Sequence, residues 1–98
     1  VFIFGGWRNS LSTIVRQDEH RARMVVDEAT RVEPGRKYRW SIRITGRHLE
    51  WWIDDALFLQ ADDAQPLCGP GHDHFGVNDW SVTIHFDDLA ITPVSIAP

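Results

Sequence analysis

The stretch from Tyr38 to Asp55, YRWSIRITGRHLEWWIDD, reads as two β-strands joined by a tight turn. Gly46 and Arg47 make a two-residue loop between runs rich in aromatic and β-branched residues, which is the pattern of an antiparallel hairpin. Placing the turn there fixes which residues face each other across the hairpin. Thr45 faces His48, and every pair farther from the turn follows from that one.

This register gives the hairpin one apolar and one polar face. The pairs on the apolar face are Ile44–Leu49, Ile42–Trp51 and Trp40–Ile53. The pairs on the polar face are Arg43–Glu50, Ser41–Trp52 and Arg39–Asp54. Because successive side chains of a strand point to opposite faces, Trp51 is predicted in the core and Trp52 on the polar face. There its large ring is either covered by another segment or available to a ligand.

Short strands are also predicted before the hairpin, and no helix is predicted anywhere. The upstream strands are expected at residues 1–7, 11–16 and 22–26. Gly5 and Gly6 fall inside the first of them, where a glycine pair indicates a bulge or a close approach of another backbone.

After the hairpin the chain is predicted to turn back at once. Asp54 and Asp55 form a second tight turn, and the strand that follows, ALFLQ at 56–60, returns along the hairpin. In this register Phe58 faces Trp51 on the core side. The facing pair on the other side is Leu57 and Trp52.

The last third of the chain is predicted to be a long loop, a short strand and a final strand. Residues 61–73 are rich in Pro, Gly and Asp, the composition of loops that carry binding residues. The final strand, residues 81–91, alternates regularly until Asp87 and Asp88, where its apolar parity changes and a bulge is expected. Seven to nine short strands without helices predict an antiparallel β-sandwich.

Composition limits the partners of the chain. It has 98 residues, a length that fits one domain at most. Its net charge is −4, with ten basic and fourteen acidic residues, which argues against a nucleic-acid partner. No apolar run approaches the ~20 residues that a membrane span needs, so no membrane partner is expected. The single Cys68 excludes an intramolecular disulfide, and the cellular compartment stays open.

The order of several segments resembles a known family. These are FGGWRN, IVRQDEH, EPGRKYRWSIRITGRHLEWWIDD, GHDHFGVNDW and IHFDDLAITP. Together they resemble, from Phe2 to Pro93, the carboxy-terminal part of concanavalin A-like lectin/glucanase sandwiches, most closely bacterial proteins of the YesU-like type and the 3-keto-disaccharide hydrolase (glycosidase-16-like) group. The resemblance implies an all-β, antiparallel sandwich of jelly-roll type. The family commonly has Asp-Gly in the turn where this chain has Asp54 and Asp55.

A complete sandwich of this family is about twice as long, and this has two consequences. Residues 1–98 are expected to be a single sandwich domain or the carboxy-terminal part of one, with the strands that normally precede Val1 absent. The bare apolar edge then favours a homodimer or higher homo-oligomer with Val1–Phe4 or Val82–Ile91 at the contact.

Aromatic and planar polar side chains together suggest sugar recognition. Aromatic rings cover the C–H face of a pyranose, and Asn, Gln, Asp and Arg bond its hydroxyls. The candidate ligand-binding residues are Trp7, Asn9, Arg16, Gln17, His20, Trp52, Asn78 and Trp80. Trp40 and Trp51 are assigned to core packing. For Trp7, Trp52 and Trp80, stacking and packing are both left open.

Catalysis and metal binding are weaker alternatives. A glycosidase needs two carboxyl groups ~5 to 9.5 Å apart, and the Glu-x-Asp-x-x-Glu pattern of glucanases with this fold is absent. Glu50 is the one acid in the middle of a polar strand face, and an ion pair with Arg43 is expected there. His72, His74 and Cys68 offer zinc ligands, and the acid-rich loops suggest calcium, but the spacing supports neither ion.

We therefore predict no metal, no cofactor and a carbohydrate-binding module without catalysis of its own. The alternatives are a glycoside hydrolase-like domain of a larger sugar-processing enzyme and a structural or oligomerisation module of the same fold.

Overall fold

A computed structural model of the chain describes residues 1–16, 23–64, 76–77 and 84–92. The chain divides into two compact units, Val1–Gln65 and Pro66–Pro98. Among the described residues, all regular secondary structure lies in the first unit. No helix in the described ranges is long and apolar enough to cross a membrane.

The described part of the first unit contains six strands and one short helical turn. They are β1 (Phe2–Gly5), α1 (Gly6–Asn9), β2 (Leu11–Val15), β3 (Arg23–Asp27), β4 (Trp40–Thr45), β5 (His48–Ile53) and β6 (Ala56–Asp62). Strands β1, β2 and β3 form an antiparallel first sheet in that order, and β4, β5 and β6 form an antiparallel second sheet. The all-β prediction is confirmed at this level, with each sheet a three-stranded meander that does not close into a barrel.

The β4–β5 hairpin has the register that its turn predicts. The observed pairs are Trp40–Ile53, Ser41–Trp52, Ile42–Trp51, Arg43–Glu50, Ile44–Leu49 and Thr45–His48. Gly46 has a φ of 60°, and positive φ at the first central residue is what a type II′ hairpin turn requires. Beyond the last pair, the Asp54 backbone N–H donates to the Arg39 carbonyl at 2.8 Å, as the predicted pairing requires.

Strand β6 departs from the predicted pairing at one residue. Leu57 faces Trp52 as expected, but Leu59 rather than Phe58 faces Trp51. Phe58 is the extra residue of a β-bulge, which lets two consecutive side chains turn to the same face. Leu59 is therefore buried, and the Phe58 ring still lies 5.1 Å from the Trp51 ring.

The core lies between the two sheets, and Trp51 is at its centre. Trp51 is fully buried and contacts four aromatic rings edge-on, with centroid distances of 5.6 Å to Phe2, 5.9 Å to Phe4, 4.9 Å to Trp40 and 5.1 Å to Phe58. Edge-to-face geometry is favourable because the positive edge of one ring meets the negative face of another. Since Phe2 and Phe4 belong to the first sheet, the two sheets pack face to face through this indole.

The apolar face of β4 is only partly covered. Trp40, predicted in the core, packs on Phe4 at 5.6 Å but keeps 39% of its surface exposed. Ile44 on the same strand is 55% exposed. β4 is an edge strand of the second sheet, and it is the least covered part of the core face.

The connection between β1 and β2 has an unusual backbone. Residues 7–9 have φ values between 48° and 60°, the left-handed region, in place of the strand expected as far as residue 7. Gly5 has a φ of 68°, and a Cβ added there would lie 2.5 Å from Cγ2 of Val32. The positive φ and the nearby Val32 side chain both favour glycine at this site. The close neighbours are side-chain atoms, so the approach of another backbone that was predicted for the glycine pair is not what the structure shows at Gly5.

In the second unit, the predicted final strand is wrong for residues 84–92, which have no regular secondary structure. Asp88, where the apolar parity changes, has a φ of 56°. A bulge interrupts the pairing of two strands, and residues 84–92 form no strand, so the predicted bulge is wrong as well. The apolar side chains are 47% to 73% exposed, namely Ile84, Phe86, Leu89 and Ile91. Residues 81–83 lie outside the described ranges.

The homodimer or higher oligomer stays a prediction.

We expect Trp51→Ala to lower the free energy of unfolding by ~3 to 5 kcal/mol, because it leaves a cavity among four rings. Trp52→Ala should cost far less, because the half-buried Trp52 ring lies outside the core. Trp51→Phe is the matched control, since it keeps an aromatic ring in the cavity. Denaturant midpoints of the three variants decide the point, and equal large losses for both alanine variants would contradict the face assignment.

Candidate functional site

The polar face of the second sheet, which we call the outer face, carries three rows of side chains. The rows are Ser41–Trp52–Leu57, Arg43–Glu50–Gln60 and Thr45–His48–Asp62. They face away from the core because strand residues alternate and Trp51 points inward. Because Phe58 is an extra residue in β6, Leu57 before the bulge and Gln60 after it lie on the same face, so all three strands contribute to one surface.

Four side chains of the outer face form a hydrogen-bonded chain. The Trp52 Nε1–H donates to Glu50 Oε1 at 3.1 Å. The other oxygen, Glu50 Oε2, lies 3.2 Å from His48 Nε2, and His48 Nδ1 lies 2.9 Å from Asp62 Oδ1. Three of these residues alternate along β5 and the fourth is the β6 residue opposite His48, so strand geometry alone brings them together.

The partner predicted for Glu50 is wrong. Arg43 faces Glu50 in register, yet no ion pair among the described residues joins Arg43 to Glu50. The carboxylate is instead held between Trp52 and His48. These two are same-face neighbours on β5 that offer N–H groups at short range, whereas Arg43 extends its long side chain into solvent.

The carboxyl groups of the outer face change the pKa of His48. The hydrogen bond to Asp62, with a further contribution from Glu50, raises the pKa of His48 above its ordinary value, against a smaller opposing effect of desolvation. The side chain remains 39% exposed. A doubly protonated imidazole donates from both nitrogens, which is what two flanking carboxylates require.

The outer face also places an apolar strip beside polar groups. Trp52 is half-buried and its neighbour Leu57 is 42% exposed. The adjacent row presents the exposed side chains of Arg43 and Gln60. A flat surface of this kind can cover an apolar ring face and bond hydroxyls at its margin.

The structure places two other predicted residues away from the outer face. Trp7 is 40% exposed on α1, where the Arg23 guanidinium lies 4.6 Å from the centre of its ring, so a cation already occupies one ring face. Arg16 follows β2, and its Nε lies 3.4 Å from Asp63 Oδ1. Neither of these two contacts involves Trp52.

Asn9 has a structural role. Its Nδ2 donates to the Val32 carbonyl at 2.9 Å, and its Oδ1 accepts from the Val32 N–H at 2.8 Å. The amide thereby ties the left-handed connection to a distant backbone segment in the manner of a strand pair. Its ligand-binding role stays a prediction.

The remaining predicted residues lie outside the described ranges, namely Gln17, His20, Asn78 and Trp80, as do Cys68, His72 and His74. The sequence analysis places Glu50 on the polar face and His48 opposite Thr45, and it proposes neither residue as part of a site. The signal was the alternation in HLEWW, which sets a histidine, an acid and a tryptophan on one face.

Comparisons with protein-family models, curated proteins and solved structures found no match for this chain. Within the described residues, no group of three or more His, Cys, Asp or Glu side chains is arranged to hold a metal ion.

We expect Asn9→Ala to lower the free energy of unfolding by about 1 to 3 kcal/mol, because it leaves the Val32 N–H and carbonyl without the amide. Asn9→Asp keeps the acceptor for the N–H but sets a carboxylate oxygen against the Val32 carbonyl, so it should also lose stability at neutral pH. Thermal melts of both variants measure this. Full stability of Asn9→Ala would contradict the structural role.

Proposed function

We propose that the chain is a carbohydrate-binding module, without catalysis of its own, that binds sugar on the outer face with Trp52 as the stacking surface. The observation that carries the proposal is the hydrogen bond of 3.1 Å from the Trp52 indole to Glu50. This bond fixes the ring on a polar sheet face beside the exposed Leu57.

An aromatic ring that is already oriented is a good sugar platform for two reasons. Its rotational freedom is restricted before the ligand arrives, so less entropy is lost on binding. Its N–H is already satisfied by Glu50, so the ring can bind through its apolar face, which matches the C–H face of a pyranose. Arg43, Gln60 and Ser41 are exposed around it and can bond hydroxyl groups.

We propose further that the two packed sheets belong to a sandwich of the concanavalin A-like, jelly-roll type that the sequence resembles. Two features support this proposal. Both sheets are antiparallel, and they pack face to face around Trp51 while the opposite face of the second sheet carries the polar side chains. These are the features that a lectin-like sandwich needs in order to present a flat binding face.

A glycoside hydrolase-like domain is the second candidate, because the outer face brings the carboxyls of Glu50 and Asp62 to one histidine. A glycosidase needs two carboxyls on opposite sides of a scissile bond, one of them carrying a proton. Here both carboxylates approach the ring nitrogens of His48 instead. This arrangement suits orientation better than proton transfer to a sugar.

A glycan array with the purified chain, run with and without calcium, tests the proposed function. We expect binding that does not need calcium. Titration calorimetry with the strongest glycan on the array should show that Trp52→Ala binds at least about tenfold more weakly than the parent chain. The reason is that a lost stacking contact costs ~1.4 kcal/mol or more.

Two controls sharpen this test. Trp52→Phe keeps a stacking ring and should retain most of the affinity. Trp7→Ala removes another exposed indole and should bind like the parent chain if the outer face is the site. A folded chain that binds no glycan would favour the structural or oligomerisation module, and unchanged affinity in Trp52→Ala would remove the outer face as the site.

A further inference from the structure

We propose that His48, in its doubly protonated form, is a positioning residue that holds Glu50 and through it the Trp52 ring. The consequence for sugar binding rests on the proposed function. The positioning itself rests on contacts that exist without a ligand.

Both ring nitrogens of His48 lie against carboxylate oxygens. Its Nε2 lies 3.2 Å from Glu50 Oε2, and its Nδ1 lies 2.9 Å from Asp62 Oδ1. An ionised carboxylate only accepts hydrogen bonds, whereas a neutral imidazole has one N–H and one lone pair. Only the imidazolium can therefore donate to both carboxylates at once.

The second step is the effect of losing one proton. If Nε2 becomes the bare nitrogen, its lone pair faces Glu50 and repels it directly. If Nδ1 becomes the bare nitrogen, the ring loses its attachment to Asp62 on β6 and is held by Glu50 alone. In both tautomers the support of Glu50 weakens.

The third step leads from Glu50 to Trp52. The two carboxylate oxygens have different partners, because Oε2 faces His48 while Oε1 accepts the Trp52 Nε1–H at 3.1 Å. Glu50 is the less exposed member of its ion pair with His48, with 23% of its side chain accessible, so its side chain is partly shielded from water. A carboxylate released by His48 can rotate, and the indole loses its fixed acceptor.

The surroundings of His48 set the sign of the pH dependence. The charged groups that face it are Glu50 on β5 and Asp62 on β6, and they raise the pKa of His48. On β4, Thr45 faces His48 and does not titrate, while the cationic residue Arg43 lies opposite Glu50. As long as both carboxylates are ionised, the positioning is therefore complete below the raised pKa of His48 and is lost as the pH rises through that pKa.

The test follows the indole Nε1–H signal of Trp52 by ¹H–¹⁵N NMR, without sugar, from about pH 5 to about pH 9, a window that brackets imidazole titration. Trp52→Phe identifies the signal by its disappearance. We expect the signal to shift with the same midpoint as the ring protons of His48. A signal that stays constant while His48 titrates overturns the proposal.

Three variants separate positioning from a general effect of charge. Asp62→Asn, at an exposed site, should lower the midpoints of His48 and Trp52 together. Glu50→Gln should leave His48 titrating but abolish the response of Trp52, and a response that persists overturns the relay. His85→Gln, which removes a histidine and leaves His48, Glu50 and Asp62 in place, should leave the midpoints of His48 and Trp52 unchanged.

The same experiment can fail independently of the proposed function. If Trp52 follows His48 but the array binds no glycan at any pH, the positioning stands and the sugar proposal fails. If the array is positive and Trp52 does not follow His48, the sugar proposal stands and the positioning fails. If both hold, array binding should be stronger at about pH 6 than at about pH 9.

Discussion

The alternation of side chains along β5 is the constraint on which the rest of this structure depends. At Trp51 and Trp52 it sends one indole into the core and the next to the outer face. Trp51 then joins the two sheets through its ring contacts with Phe2 and Phe4. A slip of one residue in the hairpin would exchange the two faces, so the core and the candidate site are specified by the same register.

Different interactions dominate the two faces of the second sheet. Burial of aromatic surface around Trp51 supplies stability, because apolar area is removed from water. The contacts of His48, Glu50 and Asp62 lie partly in solvent, and exposed ion pairs of this kind contribute little to stability. Their value is orientation: each fixes a neighbouring side chain, and the last one fixed is Trp52.

The sequence predicts the hairpin well because two independent signals, the Gly46 turn and the polarity of the strands, agree on one register. It misses the bulge at Phe58 because Leu57, Phe58 and Leu59 are all apolar, so their polarity does not show which of them is the extra residue. It errs at residues 84–92 because alternation describes what a strand would bury without showing that a partner strand exists. The partner of Glu50 is missed because the hairpin register predicts only the neighbours across strands, whereas His48 and Trp52 are same-face neighbours along β5.

The most direct test of the central claim is hydroxyl-radical footprinting read by mass spectrometry at single residues, with and without the strongest glycan from the array. We predict that Trp52 is oxidised in the free chain and protected by the glycan, while Trp51 stays protected throughout. Oxidation of Trp51 in the folded chain, or a Trp52 whose oxidation is unchanged by bound glycan, would contradict it.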